Sequence, residues 1–400
     1  MHDSLFRRIE AKRDELVGLT CDLIRFPTVN PPGEAYTPCA EYLGKRLKAR
    51  GFEVGYHRGE GEAGDSARYP RTNVVARRDG AAPGPCIHFN GHIDVVAVGS
   101  GWTVDPFAAG VIDGRIYGRG SCDMKGGLTV DEESGGYGGV GYLAKQGFFS
   151  KPRVDHVIIP EPLNVDRVCI GHRGVWWAEI ETHGRIAHGS MPFLGDCAVR
   201  HMGAFIGKLE SDLYPALAKK RTEMPVVPEG ARQSTLNINS IHGGLPEDRD
   251  GLPAPLVPDS CRLVLDRRYL IEEDPAEVRR EIVALLEGLK RDRRGFDYAL
   301  REVLAFQPTM TDPEAPVVRA VSAAIQEVLG RPAQQVVSPG TYDQKHIVRV
   351  GHLEDCIAYG PGILDLAHQP DEYVGIDDMV ASAKVMAAAT LALLGSAAGR

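Results

Sequence analysis

The 400-residue sequence lacks paired cysteines, basic blocks and long apolar runs, and each absence argues against a class of protein. Its eight cysteines are scattered without a Cys-x-x-Cys spacing, so we expect reduced thiols rather than a disulfide framework or a thiolate zinc site. A net charge of -8 without a basic block argues against a nucleic-acid surface. The start shows no signal-peptide core and no apolar run reaches the length of a membrane span, which predicts a cytoplasmic protein without a membrane partner.

The composition is that of a globular chain with more than one core. Hydrophobic residues make up 43% and charged residues 25%, which argues against intrinsic disorder. A chain of this length is too long for a single core, so two domains are expected.

Five segments rich in metal-ligand side chains are spread along the chain, each in turn-like sequence. They are GHID (91–94), GSCDMKGG (120–127), DEESGG (131–136), PEP (160–162) and AHQPDE (367–372). Two imidazoles and several carboxylates match a site for two hydrolytic metal ions. The pattern indicates a metallohydrolase.

Predicted strands deliver several of these segments. Residues 86–89 read as a strand that runs into His92, and residues 154–159 as a strand that delivers Glu161. A third strand is predicted shortly before the His368 loop. Open α/β sheets keep their sites at the carboxyl ends of strands, so these side chains can meet. Helical apolar spacing is found at residues 4–18, 38–50, 319–329 and 379–394.

The middle of the chain has a different order of predicted elements. Between residues 175 and 302 the order is strand, helix, two strands, helix and strand. This is the ferredoxin-like order. We therefore predict an α/β fold in which a mostly parallel-sheet domain, residues 1–173 and 304–400, carries an inserted α+β domain, residues 174–303.

Each motif has a chemical interpretation and an ordinary structural one. His92 and Asp94 point the same way on an extended backbone, so Asp94 can orient the imidazole for a metal, or simply be a polar turn residue. Asp123 can bridge two ions or cap a helix that begins at Met124. Cys122 is expected to pack rather than react, because a thiolate beside Asp123 is disfavoured.

The adjacent carboxylates Glu132 and Glu133 are the sharper signal. They repel each other unless a cation or a proton lies between them, although paired acids are also common on ordinary surfaces. One can bind a metal while the other transfers a proton to and from water. Glu161, fixed between two prolines, suits a rigid ligand or a plain turn.

Together these segments resemble the dizinc amidohydrolases and peptidases, a family that includes acetylornithine deacetylase, succinyl-diaminopimelate desuccinylase, aminoacylase and glutamate carboxypeptidase. The resemblance runs from Leu16 to about Leu394. It implies that the inserted domain is a lid and dimerisation domain and that the protein is a homodimer. Its specific parts are residues 26–34, 91–95, 117–128, 130–136, 160–162, 187–192, 257–268, 340–343 and 360–374.

The resemblance also implies a role for individual residues. His92 and Glu161 would bind one metal, Glu133 and His368 the other, and Asp123 would bridge them. Glu132 matches the general base and Asp94 the acid that orients His92.

Substrate contacts are implied as well. His188 matches the histidine that stabilises the tetrahedral oxyanion in the partner subunit's site. Arg268 matches an arginine that clamps a substrate carboxylate, with a strand-end salt bridge as the ordinary alternative. Further substrate contacts are expected from Arg173, Asn237, Gly340 and Thr341.

The sequence departs from the family pattern in two places. Asp123 and Glu132 are nine positions apart, whereas a crossover helix and a central strand intervene in the family, a unit of roughly thirty residues. We predict either a physical gap near Leu128 and Thr129 or a rebuilt loop with the sheet one strand short. Pro255 stands where the family usually has a substrate-binding asparagine, for which Asn237 and Asn239 are candidate substitutes.

The expected activity is hydrolysis of the amide bond of a small N-acyl amino acid or related carboxylate-bearing amide. The expected cofactors are two divalent ions, zinc foremost, with cobalt or manganese also suited to these ligands. A dipeptidase, carboxypeptidase or other C–N hydrolase would use the same site. An inactive dimeric binding protein, damaged by the short connection, is the alternative of another class.

Overall fold

The computed structural model describes residues 2–125, 127–244 and 255–395. The chain divides into two compact units. The first, hereafter the metal-site unit, comprises Met1–Gly171, Met310–Val336 and Tyr342–Arg400. The second, the inserted unit, comprises His172–Thr309 and Val337–Thr341. The predicted boundaries lie a few residues away, but the short return of residues 337–341 to the inserted unit was not predicted.

Ten α-helices are found in the described residues. The predicted helix over residues 4–18 is two helices, which meet at Ala11 and Lys12. The helices are α1 Asp3–Glu10, α2 Arg13–Ile24, α3 Tyr36–Lys48, α4 Tyr142–Lys145, α5 Ala198–Lys208, α6 Tyr214–Leu217, α7 Pro275–Asp292, α8 Pro316–Leu329, α9 Gln344–Arg349 and α10 Ile376–Gly395.

The same part of the chain has fifteen strands, which form four sheets. They are β1 Glu53–Arg58, β2 Thr72–Arg77, β3 Ile87–Phe89, β4 Gly110–Ile112, β5 Arg115–Tyr117, β6 His156–Ile159, β7 Arg167–His172, β8 Gly174–His183, β9 Thr235–Gly243, β10 Ser260–Tyr269, β11 Asp297–Phe306, β12 Thr309–Met310, β13 Gln334–Ser338, β14 Cys356–Ala358 and β15 Tyr373–Gly375.

A six-stranded sheet forms the centre of the metal-site unit. Its order is β12-β7-β14-β6-β3, and β13 also pairs with β7. Strands β3, β6 and β14 are parallel neighbours, so their carboxyl ends lie at one edge, from which the chain continues to the His92, Glu161 and His368 segments. Residues 157–159 of β6 and 356–358 of β14 are buried and apolar, which is typical of central strands. The predicted α/β class is confirmed.

Helix α10 is long and apolar enough, by length and composition alone, to cross a membrane, which we did not expect from the sequence. Within the unit it packs along α8 and also contacts α1 and α2. Its buried residues include Val385 and Ala389, which lie four positions apart on one face. Within the structure, 33% of its apolar stretch is buried.

The inserted unit has the predicted ferredoxin-like order. Its antiparallel sheet runs β11-β8-β10-β9, and α5 and α7 cover one face. Burial alternates along β10, where Leu263 and Leu265 face the helices. Phe205 of α5 and Ile282 of α7 are fully buried in the same core.

The short connection between Asp123 and Glu132 is a rebuilt loop. No helix and no strand of a sheet is found among its described residues, so the second of our two expected outcomes holds. The backbone N–H of Ile93 donates to Thr129 at 2.8 Å, and that of Val74 donates to Leu128 at 2.8 Å. Residues 128–130 therefore occupy, over a few positions, the place between β2 and the end of β3, while β1 and β2 form a sheet of their own.

This loop depends on a close approach of two glycine backbones. A Cβ added to Gly127 would lie 1.7 Å from the carbonyl carbon of Gly91 and 2.1 Å from the backbone nitrogen of His92. No side chain fits there, because the obstacle is main chain rather than a flexible side chain.

We expect Gly127→Ala to lower the free energy of unfolding by about 1–3 kcal/mol or more, as overpacking against rigid backbone does. Gly18→Ala is the matched control, because Gly18 lies in α2 with open space around it. That change should stabilise the protein by about 0.5–1 kcal/mol. Urea unfolding of both variants measures the difference, and a neutral Gly127→Ala would contradict the described path of the loop.

Candidate metal centre

His92 is placed by the extended backbone that follows β3, and its side chain is fully buried. Its Nδ1 lies 3.1 Å from the backbone oxygen of Asp94 and 3.5 Å from the carboxylate Oδ1 of the same residue. The nearer orienting partner is therefore a main-chain carbonyl rather than the carboxylate that the sequence suggested. Either contact directs Nε2 towards the cluster of acids.

Asp123 presents one oxygen to each imidazole. Its Oδ1 lies 3.3 Å from Nε2 of His92, and its Oδ2 lies 3.3 Å from Nε2 of His368. A carboxylate between two imidazoles, with one oxygen facing each, has the geometry of a bridging ligand. No helix begins at Met124 in the described residues, so the alternative of an N-cap does not hold.

The remaining two carboxylates complete two ligand sets. Oε1 of Glu161 lies 3.9 Å from Nε2 of His92, and Oε2 of Glu133 lies 3.0 Å from Nε2 of His368. The two triads are His92, Asp123, Glu161 and Asp123, Glu133, His368, each with its ligand atoms within 4.8 Å of one another. Asp123 is common to both.

Two buried atoms test whether a metal fits this cluster. Nε2 of His92 and Oε1 of Glu161 are buried and have no hydrogen-bond partner in the structure. Buried polar atoms are normally satisfied, so a donor set that leaves these two atoms without partners fits a bound cation. Imidazole nitrogen and carboxylate oxygen are suitable donors for zinc and similar divalent ions.

The pKa values of the clustered side chains also fit a site for a cation. Burial, reinforced by the charge of Asp123, raises the pKa of Glu133 to about 8 and that of Glu161 well above its usual value. Contacts with Asp123 and Glu133 raise the pKa of His368 to about 10. Ionised acids at this point are therefore unfavourable without positive charge between them, and a metal ion would supply that charge.

Asp94 organises the turn that carries the paired acids. Its two carboxylate oxygens accept the backbone N–H groups of Glu132 at 3.2 Å and Glu133 at 3.1 Å. The side-chain amide of Asn30 donates to the same carboxylate at 3.1 Å. Asp131 precedes the turn with a φ of 65°, and its buried carboxylate pairs with Arg71 at 2.9 Å. The turn is therefore held from both sides.

Glu132 stands beside the ligand sets with its own partner. Nζ of the buried Lys345 donates to Oε1 of Glu132 at 3.1 Å. Burial disfavours the ammonium form, but the charges of Glu132 and Asp343 hold the pKa of Lys345 above its usual value. Burial raises the pKa of Asp343 to about 7, against the opposing effect of Lys345.

Glu372 ties the Asp123 loop to the His368 loop. Its Oε1 accepts the backbone N–H groups of Gly120, Cys122 and Asp123 at 2.9–3.0 Å. Its Oε2 pairs with Arg119 at 2.6 Å, and Arg119 in turn donates to the backbone oxygen of His368 at 3.2 Å. Glu372 is fully buried, so these bonds are shielded from water.

Three predicted substrate residues lie in the inserted unit. His188 is exposed, with Nδ1 2.7 Å from Oγ of Ser190. Arg268 pairs with Asp266 through two contacts at 2.7 and 3.1 Å, so the strand salt bridge is present. Arg173 is buried and donates to the backbone oxygens of Pro339 and Gln233. Burial lowers its pKa to about 10.

The other three substrate candidates also lie in the inserted unit. Asn237 is exposed on β9 and donates to Oδ1 of Asn239 at 2.8 Å. Gly340 and Thr341 belong to the short return segment, and the backbone N–H of Gly340 donates to Oγ of Ser338 at 3.2 Å. The structure thus brings seven predicted residues together in the metal-site unit and places six elsewhere.

Sequence reasoning assigned no role to Asn30, Arg119, Lys345 or Glu372. Each lies in or beside a segment that we had singled out, so its location was visible but its partner was not. Glu372 and Arg119 are separated by about 250 positions, and no local pattern reveals such a contact. Cys122 is buried, and burial raises the pKa of its thiol, as expected for a packed cysteine.

A sequence profile of peptidase family M20/M25/M40 matches residues 88–130 and 128–392. The chain belongs to this family. It is a metal-dependent hydrolase, as the ligand pattern predicted. The two matched segments meet at residues 128–130, which is where the short connection lies.

Curated relatives match along most of the chain. Acetylornithine deacetylase of Myxococcus xanthus is 29% identical over 88% of this chain and 91% of its own length. Succinyl-diaminopimelate desuccinylase of Stenotrophomonas maltophilia is 28% identical over 92% of this chain and 96% of its own length.

Solved structures share the fold. The di-peptidase Dug1p of Saccharomyces cerevisiae has a TM-score of 0.80 at 16% identity, covering 98% of each chain. The M20 family metallo-carboxypeptidase Sso-CP2 of Sulfolobus solfataricus has a TM-score of 0.74 at 21% identity, covering 95% of this chain and 99% of its own.

Glu372→Gln should weaken metal binding about 10–100-fold while leaving the fold intact, because residues that orient metal ligands typically contribute this much. Asp371→Asn is the matched control. Asp371 is the neighbouring acid, but it bonds to Thr103 rather than to the Asp123 loop. Competition with a chelating dye measures affinity for each variant. Equal affinities would show that the Glu372 contacts do not position the ligands.

Proposed function

We propose that this enzyme hydrolyses the amide bond of a small N-acyl amino acid or a related amide that bears a carboxylate. The observation that carries the proposal is Asp123, shared between two ligand triads, with the unshared acid Glu132 beside them. The two curated relatives, an acetylornithine deacetylase and a succinyl-diaminopimelate desuccinylase, support the acyl-amino-acid class.

The centre is proposed to hold two divalent ions, with zinc as the native metal. Two triads with one shared carboxylate provide the ligands, and cobalt or manganese would also suit them. When bound, the ions lower the pKa of water and polarise the carbonyl of the substrate.

The chain's own residues handle the protons and the substrate charge. Glu132 takes a proton from the attacking water and returns it to the leaving nitrogen. Asp94 holds Glu132 and Glu133 in place by accepting their backbone N–H groups. His188 donates to the developing oxyanion, and Arg268 receives the substrate carboxylate in exchange for Asp266.

We further propose a cytoplasmic homodimer in which His188 acts across subunits. Apolar side chains around His188 support an interface there. Ile186, Met191, Phe193 and Leu194 are all 40–78% exposed, which is unusual for neighbouring large apolar residues on one segment.

A peptidase acting on dipeptides is the second candidate. The solved structures that share this fold include a di-peptidase and a metallo-carboxypeptidase, but their low identity supports the fold alone.

Glu132→Gln should reduce turnover by at least about 100-fold and retain the two ions of the wild type, because it removes only the proton-transfer group. A panel containing N-acetylornithine, N-succinyl-diaminopimelate and dipeptides identifies the substrate class, and elemental analysis counts the metal. If only dipeptides are hydrolysed, the protein is a peptidase rather than an acylase. No turnover by a fully metal-loaded wild type on any member of the panel would count against the proposed substrate class.

His188→Ala should also depress turnover, and mixing it with Glu132→Gln protein should restore part of the activity. In a mixed dimer, one of the two sites then has both Glu132 and His188. The control is each variant mixed with itself under the same exchange conditions. If subunits demonstrably exchange and activity stays at the level of the single variants, His188 acts within its own chain or not at all.

A further inference from the structure

Lys345 lies at the start of α9, is 3% exposed and has two acids within reach. Its Nζ is 3.1 Å from Oε1 of Glu132 and 4.0 Å from Oδ1 of Asp343. A buried ammonium is stable only with such partners, because desolvation of an unpaired charge is strongly unfavourable. Lys345 is therefore held where it is by the acids it contacts.

The contact continues to the strand that carries His92. Oδ2 of Asp343 accepts the side-chain amide of Asn90 at 2.9 Å, and the backbone N–H of Asn90 donates to Ile158 of β6. Asn90 lies two residues before His92. A continuous set of contacts thus runs from the end of the central sheet through Asp343 and Lys345 to Glu132.

These contacts leave the two oxygens of Glu132 in different surroundings. The main chain of Glu132 is fixed by Asp94, and Oε1 is the oxygen that Lys345 engages. Because the backbone and one oxygen are held, the carboxylate cannot rotate freely. The direction of Oε2 is therefore set by the position of Oε1. Proton transfer is sensitive to such placement, since an error of about 1 Å can cost 100-fold in rate.

We infer that Lys345, supported by Asp343 and Asn90, is a positioning residue that fixes the carboxylate of Glu132 for proton transfer. The inference rests on the proposed function of Glu132 as general base. It differs from a purely structural role, in which Lys345 would only neutralise buried acids and would affect folding or metal content without acting through Glu132.

A double-mutant cycle separates the two roles. Lys345→Met should lower kcat at least about 10-fold, with KM changed less than about 3-fold and metal content unchanged. In the Glu132→Gln background the same change should cost less than about 3-fold, because the group that Lys345 positions is already inactive. An equal loss in both backgrounds would overturn the inference.

Gln344→Met is the matched control, since it removes a buried polar side chain from the same turn of α9. Gln344 donates its side-chain amide to Thr311 and to the backbone of Cys356. It should lower stability while kcat changes less than about 3-fold. A kcat loss equal to that of Lys345→Met would show that general loosening of α9 is responsible and would overturn the inference.

Asp343→Asn provides a second variant should Lys345→Met fail to fold. It should lower kcat in the same direction by a smaller factor, and this loss should also vanish in the Glu132→Gln background. A loss that persists there would count against the inference.

Crystal structures of the wild type and Lys345→Met give a readout that needs no turnover. The carboxylate of Glu132 should be rotated or disordered in the variant while the ligands keep their places. An unchanged Glu132 would overturn the inference. A wild type inactive on every substrate of the panel would instead count against the proposed function, so the two failures are distinguishable.

Discussion

The concentration of acids at one point is the constraint on which the site depends. Asp123, Glu133 and Glu161 bring their oxygens together, and Glu132 and Asp343 stand close by. Carboxylates this near one another in a buried place cannot all be ionised without positive charge between them. The negative charge can be compensated by metal ions, by protons and by Lys345. A metal-dependent hydrolase uses metal ions.

The backbone makes this arrangement possible by fixing the acids through main-chain contacts. Asp94 holds the turn of Glu132 and Glu133, and Glu372 holds the loop of Asp123, each by accepting several N–H groups. Such bonds are stronger than neutral ones because the acceptor is charged, and burial shields them. The ligands can therefore approach one another although their charges repel.

The short connection is the place where this chain departs from its family, and the profile match breaks at the same residues. Residues 128–130 supply a few hydrogen bonds where the resemblance implies a whole strand, and they cannot replace the crossover helix. Even so, Asp123 and Glu133 reach the same imidazole, because nine residues are ample for the distance between them. The ligand geometry thus depends on the ends of the loop rather than on its missing interior.

The sequence by itself determined the fold class, the ferredoxin-like insertion and the location of the ligand segments. These follow from local patterns: periodicity identifies strands and helices, and turns after strands mark the edge of the sheet. The family resemblance carried the ligand set, because it matches residue types segment by segment even though the spacing between Asp123 and Glu132 differs. The residues alone left two roles open for Asp123, a bridging ligand or a helix cap. The choice between them depended on whether a helix followed Asp123.

Only the tertiary structure decided which side chains support the ligands. Lys345 and Glu132 are 213 positions apart, and Arg119 and Glu372 are 253 apart, so no local pattern connects them. It also showed that the carbonyl of Asp94 is the nearer partner of His92 and that Arg268 is paired with Asp266. Hydrogen bonds depend on distance and direction in space, which a linear sequence does not contain until the chain has folded.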